Sequence, residues 1–365
     1  MGFQCGIVGL PNVGKSTMFN AITSAAAAAE NYPFCTIQPN VEVVPVADAR
    51  IDTLVKIYNS QKIVPSSITF VDIAGLVKGA SKGEGKGNEF LSHIRSVDAI
   101  IHVVRCFDDP NIVHVDGSVN PQRDIEVIEM ELIFKDLETL EGKISTAEKK
   151  AKSDSKVKSE VDFYKQLKEH LLGGRLARYF SFHNDDQKLW MRDLHLLTSK
   201  PVMYVCNVHE KDITVATNAY VEKVREIAKK ENAVVVVISA AIEAEISQLS
   251  KEEQQAFLAE LGLKESGLQQ VIREGMKLLG LITYFTAGPK EIHAWTVRNG
   301  AAAPEAAGVI HSDFEKGFIR AEIMKCEDLF RLGSEVAVKE AGLLRSEGRE
   351  YIMCDGDIAH FKFNV

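Results

Sequence analysis

Between the apolar run Cys5 to Val8 and a helix-like segment, the chain reads Gly9-Leu10-Pro11-Asn12-Val13-Gly14-Lys15-Ser16-Thr17, a complete G-x-x-x-x-G-K-[ST] phosphate loop. With a strand before it and a helix after it, this stretch restricts the fold to one in which a tight loop binds a nucleoside triphosphate with Mg²⁺. The glycines let the N–H groups from Asn12 to Thr17 turn towards phosphate oxygens, and the helix that follows adds its positive N-terminal dipole. Lys15 then reaches the β- and γ-phosphates, and the Ser16 hydroxyl coordinates Mg²⁺.

Composition narrows the partners. The 365 residues are 45% hydrophobic and 26% charged, with a formal charge of −8. A net acidic chain does not wrap nucleic acid wholesale, since that mode needs many Lys and Arg on phosphates. A local basic patch stays open. The six cysteines (Cys5, Cys35, Cys106, Cys206, Cys326, Cys354) form no C-x-x-C pair, which speaks against a zinc site or a disulfide framework. No apolar stretch approaches the length of a membrane span, and the N-terminus runs directly into the first strand without a signal peptide, so the expected compartment is the cytosol.

Near-continuous apolar runs at Ile7-Val8, Ile68 to Val71, Ala99 to Val104, Val202 to Cys206 and Val234 to Ile238, with helical segments between them, predict a parallel, doubly wound α/β sheet. In such sheets ligands lie beyond the carboxyl ends of the strands, where each nucleotide motif of this chain falls. Between the third and fourth runs, Met130, Ile133, Leu137, Leu140, Ile144, Ala147 and Ala151 repeat at alternating spacings of three and four. Ser153-Asp154-Ser155 breaks the pattern, and Val157, Val161, Tyr164, Leu167 and Leu171 form a returning face. The reading is an inserted antiparallel helical hairpin with a first arm of roughly 30 to 40 Å; helices lying flat on the sheet are the alternative. From about Leu281 the chain turns strand-rich, and Tyr351 to Cys354 and Ile358 to Phe363 flank Asp355-Gly356-Asp357 as a predicted β-hairpin. The expected division is a nucleotide-binding domain at 1–128 and 190–278, the hairpin at 129–189 and a small α+β module at 279–365.

Further motifs follow the later strands. Asp72-Ile73-Ala74-Gly75 is a D-x-x-G, which supplies an Mg²⁺-linked carboxylate and a backbone N–H for the γ-phosphate. Gly75, Gly79, Gly83, Gly85 and Gly87, interleaved with Lys78, Lys82 and Lys86, suit a segment that orders on the γ-phosphate, or simply a surface loop. Thr36 is the candidate for a second Mg²⁺-coordinating hydroxyl. At the base-reading position, Asn207-Val208-His209-Glu210 stands where a guanine-reading site has N-K-x-D; the longer carboxylate and the lost Lys should weaken guanine selection. Ser239-Ala240 supplies the last loop near the base.

These loops together closely resemble the YchF subfamily of Obg-type P-loop NTPases, the Obg-like ATPases. The likeness is carried by GLPNVGKST (Gly9 to Thr17), NYPFCTI (Asn31 to Ile37), DIAGLVKGASKGEG (Asp72 to Gly85), the N-x-x-E at Asn207 to Glu210, and TYFTAG (Thr283 to Gly288) with DFEKGFIRAE (Asp313 to Glu322). The resemblance implies preference for ATP over GTP, slow Mg²⁺-dependent hydrolysis, a coiled-coil insertion, a C-terminal β-grasp TGS domain, and association with ribosomes.

Leu76 stands immediately after the D-x-x-G glycine, where Ras-like enzymes carry a water-positioning Gln, and it cannot orient water. His114, after the third strand, is a candidate replacement alongside a merely structural reading. Four functions remain: an ATP-hydrolysing switch of translation or stress response, preferring ATP to GTP; a nucleotide-dependent ribosome or RNA adaptor with incidental hydrolysis; a GTP-preferring GTPase; and a small-molecule kinase, disfavoured because the motif order is that of switch proteins. The expected partners are ATP, with GTP as the alternative, and the ribosome or its RNA, with neither membrane nor DNA. Lys149, Lys150, Lys152, Lys156 and Lys158 gather at the hairpin turn, as a phosphate contact or as a solvated helix end.

Overall fold

A computed structural model describes residues 3–27, 40–73, 97–151 and 157–364. The chain opens with β1 (Gln4–Val8), α1 (Lys15–Ala27), β2 (Val41–Pro45), α2 (Ala49–Tyr58), β3 (Ile63–Val64), β4 (Ser67–Asp72) and β5 (Ala99–Arg105). Next come the long α3 (Pro121–Ala151), α4 (Val157–Leu172), α5 (Asp185–Leu194), β6 (Val202–Asn207), α6 (Ala219–Glu231), β7 (Val234–Ile238), α7 (Ala240–Ile246), α8 (Lys251–Glu260) and α9 (Gly267–Leu278). The remainder is β8 (Leu281–Ala287), β9 (Ile292–Arg298), α10 (Ala303–Ile310), α11 (Ser312–Lys316), β10 (Phe318–Lys325), α12 (Cys326–Leu332), α13 (Glu335–Glu340), β11 (Arg345–Glu347) and β12 (Asp357–Phe363).

The first sheet runs β2-β4-β1-β5-β6-β7. All five predicted apolar runs are strands of it, and their mutual pairings are parallel. Its core is made of those strands together with Met18 and Ile22 of α1 and Val221 and Val224 of α6, all buried. One strand departs from the expectation: β2 lies antiparallel to β4, from Val41 opposite Val71 to Pro45 opposite Ser67. Pro45 lacks an N–H, and an edge strand is where a proline is tolerated.

α3 starts on this sheet and leaves it. Ile125, Ile128 and Leu132 belong to the sheet core, whereas Ile133, Leu137, Leu140 and Ala147 join Val161, Phe163, Tyr164, Leu167 and Leu171 in a separate core. Its 31 residues give a rod of about 46 Å. The seam begins at Ile133: Met130 is 42% exposed, because at that turn the buried face is the one carrying Ile128 and Leu132. Asp136 fixes the chain's return, accepting from the Leu197 and Thr198 N–H groups and the Thr198 hydroxyl at 2.6–2.8 Å.

The second sheet runs β11-β10-β12-β8-β9-β3. The expected terminal hairpin is not formed: β12 pairs antiparallel with β10 and parallel with β8, while Ile352 makes a lone bridge to Ala302. The Asp355-Gly356-Asp357 turn survives, with Gly356 at φ 79°. The fully buried Asp357 carboxylate takes the Lys325 ammonium (2.6 Å), the Tyr351 hydroxyl (3.0 Å) and the Cys354 N–H (2.8 Å), which turns the preceding residues away from β12. The Met353 N–H then goes to the Ala301 carbonyl at 2.9 Å.

Residues 46–66, which the sequence reading gives to the nucleotide domain, are built into this second sheet. β3 pairs with β9, and Ile51 and Leu54 of α2 share a core with Phe285, Ile292 and Leu329. Arg50 bridges Asp48 and Asp355, both at 2.6 Å, with its guanidinium 5.0 Å over Phe285.

Candidate nucleotide site

The carboxyl ends of the parallel strands β1, β4, β5, β6 and β7 gather at one edge of the first sheet. In the loop after β1, Asn12 (φ 62°) and Gly14 (φ 96°) take the left-handed region that folds a phosphate cradle. A side chain on Gly14 would collide with the Asn207 amide, so two loops distant in sequence fit together only with glycine here. The helix starts at once, Met18 N–H to Gly14 O at 2.9 Å, leaving Ser16 and Thr17 exposed at its mouth.

Lys15 is 7% exposed, and its ammonium lies 2.7 Å from Asp72 Oδ1. The phosphate-loop lysine and the D-x-x-G carboxylate, two motifs far apart in sequence, therefore meet at one place. The candidate donors are oxygens, Ser16 Oγ and the Asp72 carboxylate, a set suited to a hard cation such as Mg²⁺. When bound, such an ion neutralises charge developing on the phosphates. Thr36 and Gly75 lie outside the described residues, as does Leu76.

Asn207 is the crosspiece of the site. Buried to 4% exposure, it donates Nδ2–H to the Val13 carbonyl and accepts the Ala240 N–H on Oδ1, both at 2.9 Å. The phosphate loop, the N-x-x-E loop and the Ser239-Ala240 loop are thus held by one amide. Val208 is buried against the core with its N–H on Ile238 O, and Glu210 is exposed at the start of a single 3₁₀ turn. Ser239 is buried just ahead of α7. Beside this loop a cavity of about 240 Å³ is lined by Phe107, Asp108, His209, Asp212 and Tyr220, among others.

His114, the candidate for orienting water, sits against Asp124 at the start of α3. Its ring is 6% exposed, and Nδ1 accepts the Asp116 N–H at 3.1 Å, which puts the proton on Nε2, directed at Asp124 Oδ2 at 3.0 Å. Both ring nitrogens thus have protein partners in this conformation. Its neighbour does approach the site: the Val113 carbonyl accepts from Asn12 Nδ2 at 3.1 Å. The loop from Phe107 to Val113 was missed by motif reading, although a charged Arg105 ending the apolar strand was a visible signal.

A family model described as "50S ribosome-binding GTPase" matches residues 4–138, and one described as "Protein of unknown function (DUF933)", named for the YchF GTPase C-terminal region, matches residues 281–364. The chain is 55% identical to the ribosome-binding ATPase YchF of Bacillus subtilis, with all of both chains covered. This chain belongs to the YchF family. It is also 48% identical to Obg-like ATPase 1 of Gallus gallus, over 99% of this chain and 92% of that protein. The solved YchF GTPase of Schizosaccharomyces pombe matches with a TM-score of 0.89 at 40% identity, covering 99% of this chain and 98% of that one.

Proposed function

We propose that the protein is a Mg²⁺-dependent ATPase that works as a ribosome-associated regulatory switch. The observation that carries it is the pairing of Lys15 with Asp72 at 2.7 Å inside a complete phosphate loop, which joins the group that grips phosphate to the carboxylate that serves its metal. The full-length relatives support hydrolysis and ribosome binding, since those of Bacillus subtilis and Escherichia coli are named ribosome-binding ATPases. ATP is the preferred substrate on the evidence of the base loop: Glu210 replaces the shorter guanine-reading Asp and is exposed, while buried Val208 replaces the Lys. The bound triphosphate lies along the loop from Asn12 to Thr17, with Ser16 and Thr36 as metal ligands, and the base lies between the Asn207-to-Glu210 and Ser239-Ala240 loops.

Two measurements test this reading. ATP and GTP should compete for a fluorescent ATP analogue with ATP the tighter; selection of GTP by about tenfold, roughly 1.4 kcal/mol, would overturn the base assignment. Phosphate release should be slow for the protein alone and rise when ribosomes are added. Ribosome binding without any rise in turnover would favour an adaptor whose hydrolysis is incidental.

A further inference from the structure

Arg105 ends β5 and turns its guanidinium inward. The residue is 2% exposed, and its donors go to three main-chain carbonyls of one loop: Nε to Phe107 at 3.0 Å, Nη2 to Asp109 at 3.2 Å and Nη1 to Ile112 at 2.9 Å. It also lies 4.8 Å over the Phe107 ring. Taking a charge out of water is costly unless it is hydrogen-bonded, and here three such bonds fix the path of residues 107–112. That loop reaches the site at both ends. Phe107 meets His209 of the N-x-x-E loop edge-on, with centroids 6.4 Å apart, and the Val113 carbonyl takes the Asn12 amide of the phosphate loop. Two further contacts hold the same segment from outside, Asn218 Nδ2 to Cys106 O at 2.8 Å and the Tyr220 hydroxyl to Asp108 at 2.7 Å.

We infer that Arg105 is a positioning residue for the nucleotide: it sets triphosphate affinity by holding residues 107–113 against the base-side loop and the phosphate loop together. The inference rests on reading this edge of the sheet as the nucleotide site. It acts through the loop and touches no reacting atom. Lysine keeps the charge, but a compact ammonium cannot span carbonyls at 107, 109 and 112 as a planar fork does, so Arg105→Lys isolates the geometry from the charge. Asn12→Gly removes the amide at the other end of the span while glycine keeps the left-handed backbone.

The experiment measures Kd for a fluorescent ATP analogue, KM and kcat, and unfolding, for the wild type, Arg105→Lys, Asn12→Gly and the double variant. The expected result is a rise of about tenfold in Kd and KM for Arg105→Lys with kcat within about threefold, the mark of lost uniform binding. The double variant should bind no more weakly than the worse single one, because both break one span. An unchanged Kd in a folded Arg105→Lys protein would overturn the inference and leave Arg105 a purely structural residue; so would penalties that multiply in the double variant. Should Arg105→Lys fail to fold, Asn12→Gly decides, and wild-type affinity there overturns the proposal. A wild type that binds no triphosphate defeats the nucleotide reading itself, an outcome distinct from all of these.

Discussion

The Lys15 ammonium and the Asp72 carboxylate sit 2.7 Å apart, each side chain less than one-sixth exposed. Phosphate and metal are the partners their motifs imply, and here the two residues satisfy one another.

That mutual dependence makes Lys15→Ala a double lesion. Triphosphate affinity should fall by about a hundredfold, near the upper end for one charge-assisted hydrogen bond. Stability should also drop by about 1–3 kcal/mol, because Asp72 keeps its charge in a largely buried place without its cation. Adding Asp72→Asn should recover part of the stability and none of the binding. Urea unfolding and a nucleotide titration of both variants measure this, and unchanged ATP affinity in Lys15→Ala would refute the assignment.

For the metal, Ser16→Ala should weaken Mg²⁺-dependent binding and turnover by about tenfold while leaving the melting curve in place, since the hydroxyl is exposed and the core does not use it. Thr36→Ala should behave alike. Titration of Mg²⁺ at fixed ATP reads the effect. Loss of folding in either variant would instead mark a structural hydroxyl.

The base loop can be probed more simply than its motif suggests. Val208→Lys would drive an ammonium into the sheet core, so the reversal towards guanine is best attempted with Glu210→Asp alone, at an exposed position. The ATP-to-GTP affinity ratio should shift towards GTP by severalfold. A ratio that does not move would remove Glu210 from base recognition.

A pH effect is expected where the insertion meets the sheet. Arg178 binds both Glu129 (3.2 Å) and Glu231 (3.0 Å), and Glu231 also takes the Tyr204 hydroxyl at 2.8 Å. Burial first, then the charge of Glu231, push the Glu129 carboxyl up to about 7. A carboxyl raised on folding contributes stability that is complete below its unfolded value near 4.5 and is lost as pH climbs through 7. Glu129→Gln removes that loss, so relative to the wild type it should gain roughly 1–2 kcal/mol between pH 5 and pH 8. An equal gap at both pH values in urea unfolding would exclude Glu129 as the titrating group.

At the far end of the helical rod, Lys149, Lys150 and Lys158 are exposed, while Lys152 and Lys156 lie outside the described residues. Changing all five to Glu should abolish co-sedimentation with ribosomes and leave ATP binding intact, because the tip is remote from the nucleotide site. Undiminished association at moderate salt would move the contact to the C-terminal module.

What the sequence made legible were features whose geometry is local. Gly14, Lys15, Asp72 and Asn207 sit beside strands that announce themselves as apolar runs, and the heptad from Ile133 onwards marks its own partner helix. The missing readings depended on distance. Ile63 and Val64 are too short a strand to register, and their partner β9 is more than two hundred residues away. The terminal hairpin failed because Asp357, which reads as a turn residue, is a buried acceptor for three groups. Arg105 left no periodic trace, since its partners are main-chain carbonyls whose identity no side chain encodes.

The excursion of residues 46–66 has a mechanical side. The chain leaves the first sheet, contributes α2 and β3 to the second, and returns, its ends pinned by Val46 N–H on Ser66 O at 2.8 Å. The C-terminal module thus has two covalent moorings: one after α9, the other on the stretch of chain between Thr36 and Asp72. A load that tugs the module would be passed to the backbone between the candidate metal ligand Thr36 and the D-x-x-G aspartate, and a truncation at 280 would strip Ile51 and Leu54 of their packing partners as surely as it removes the module.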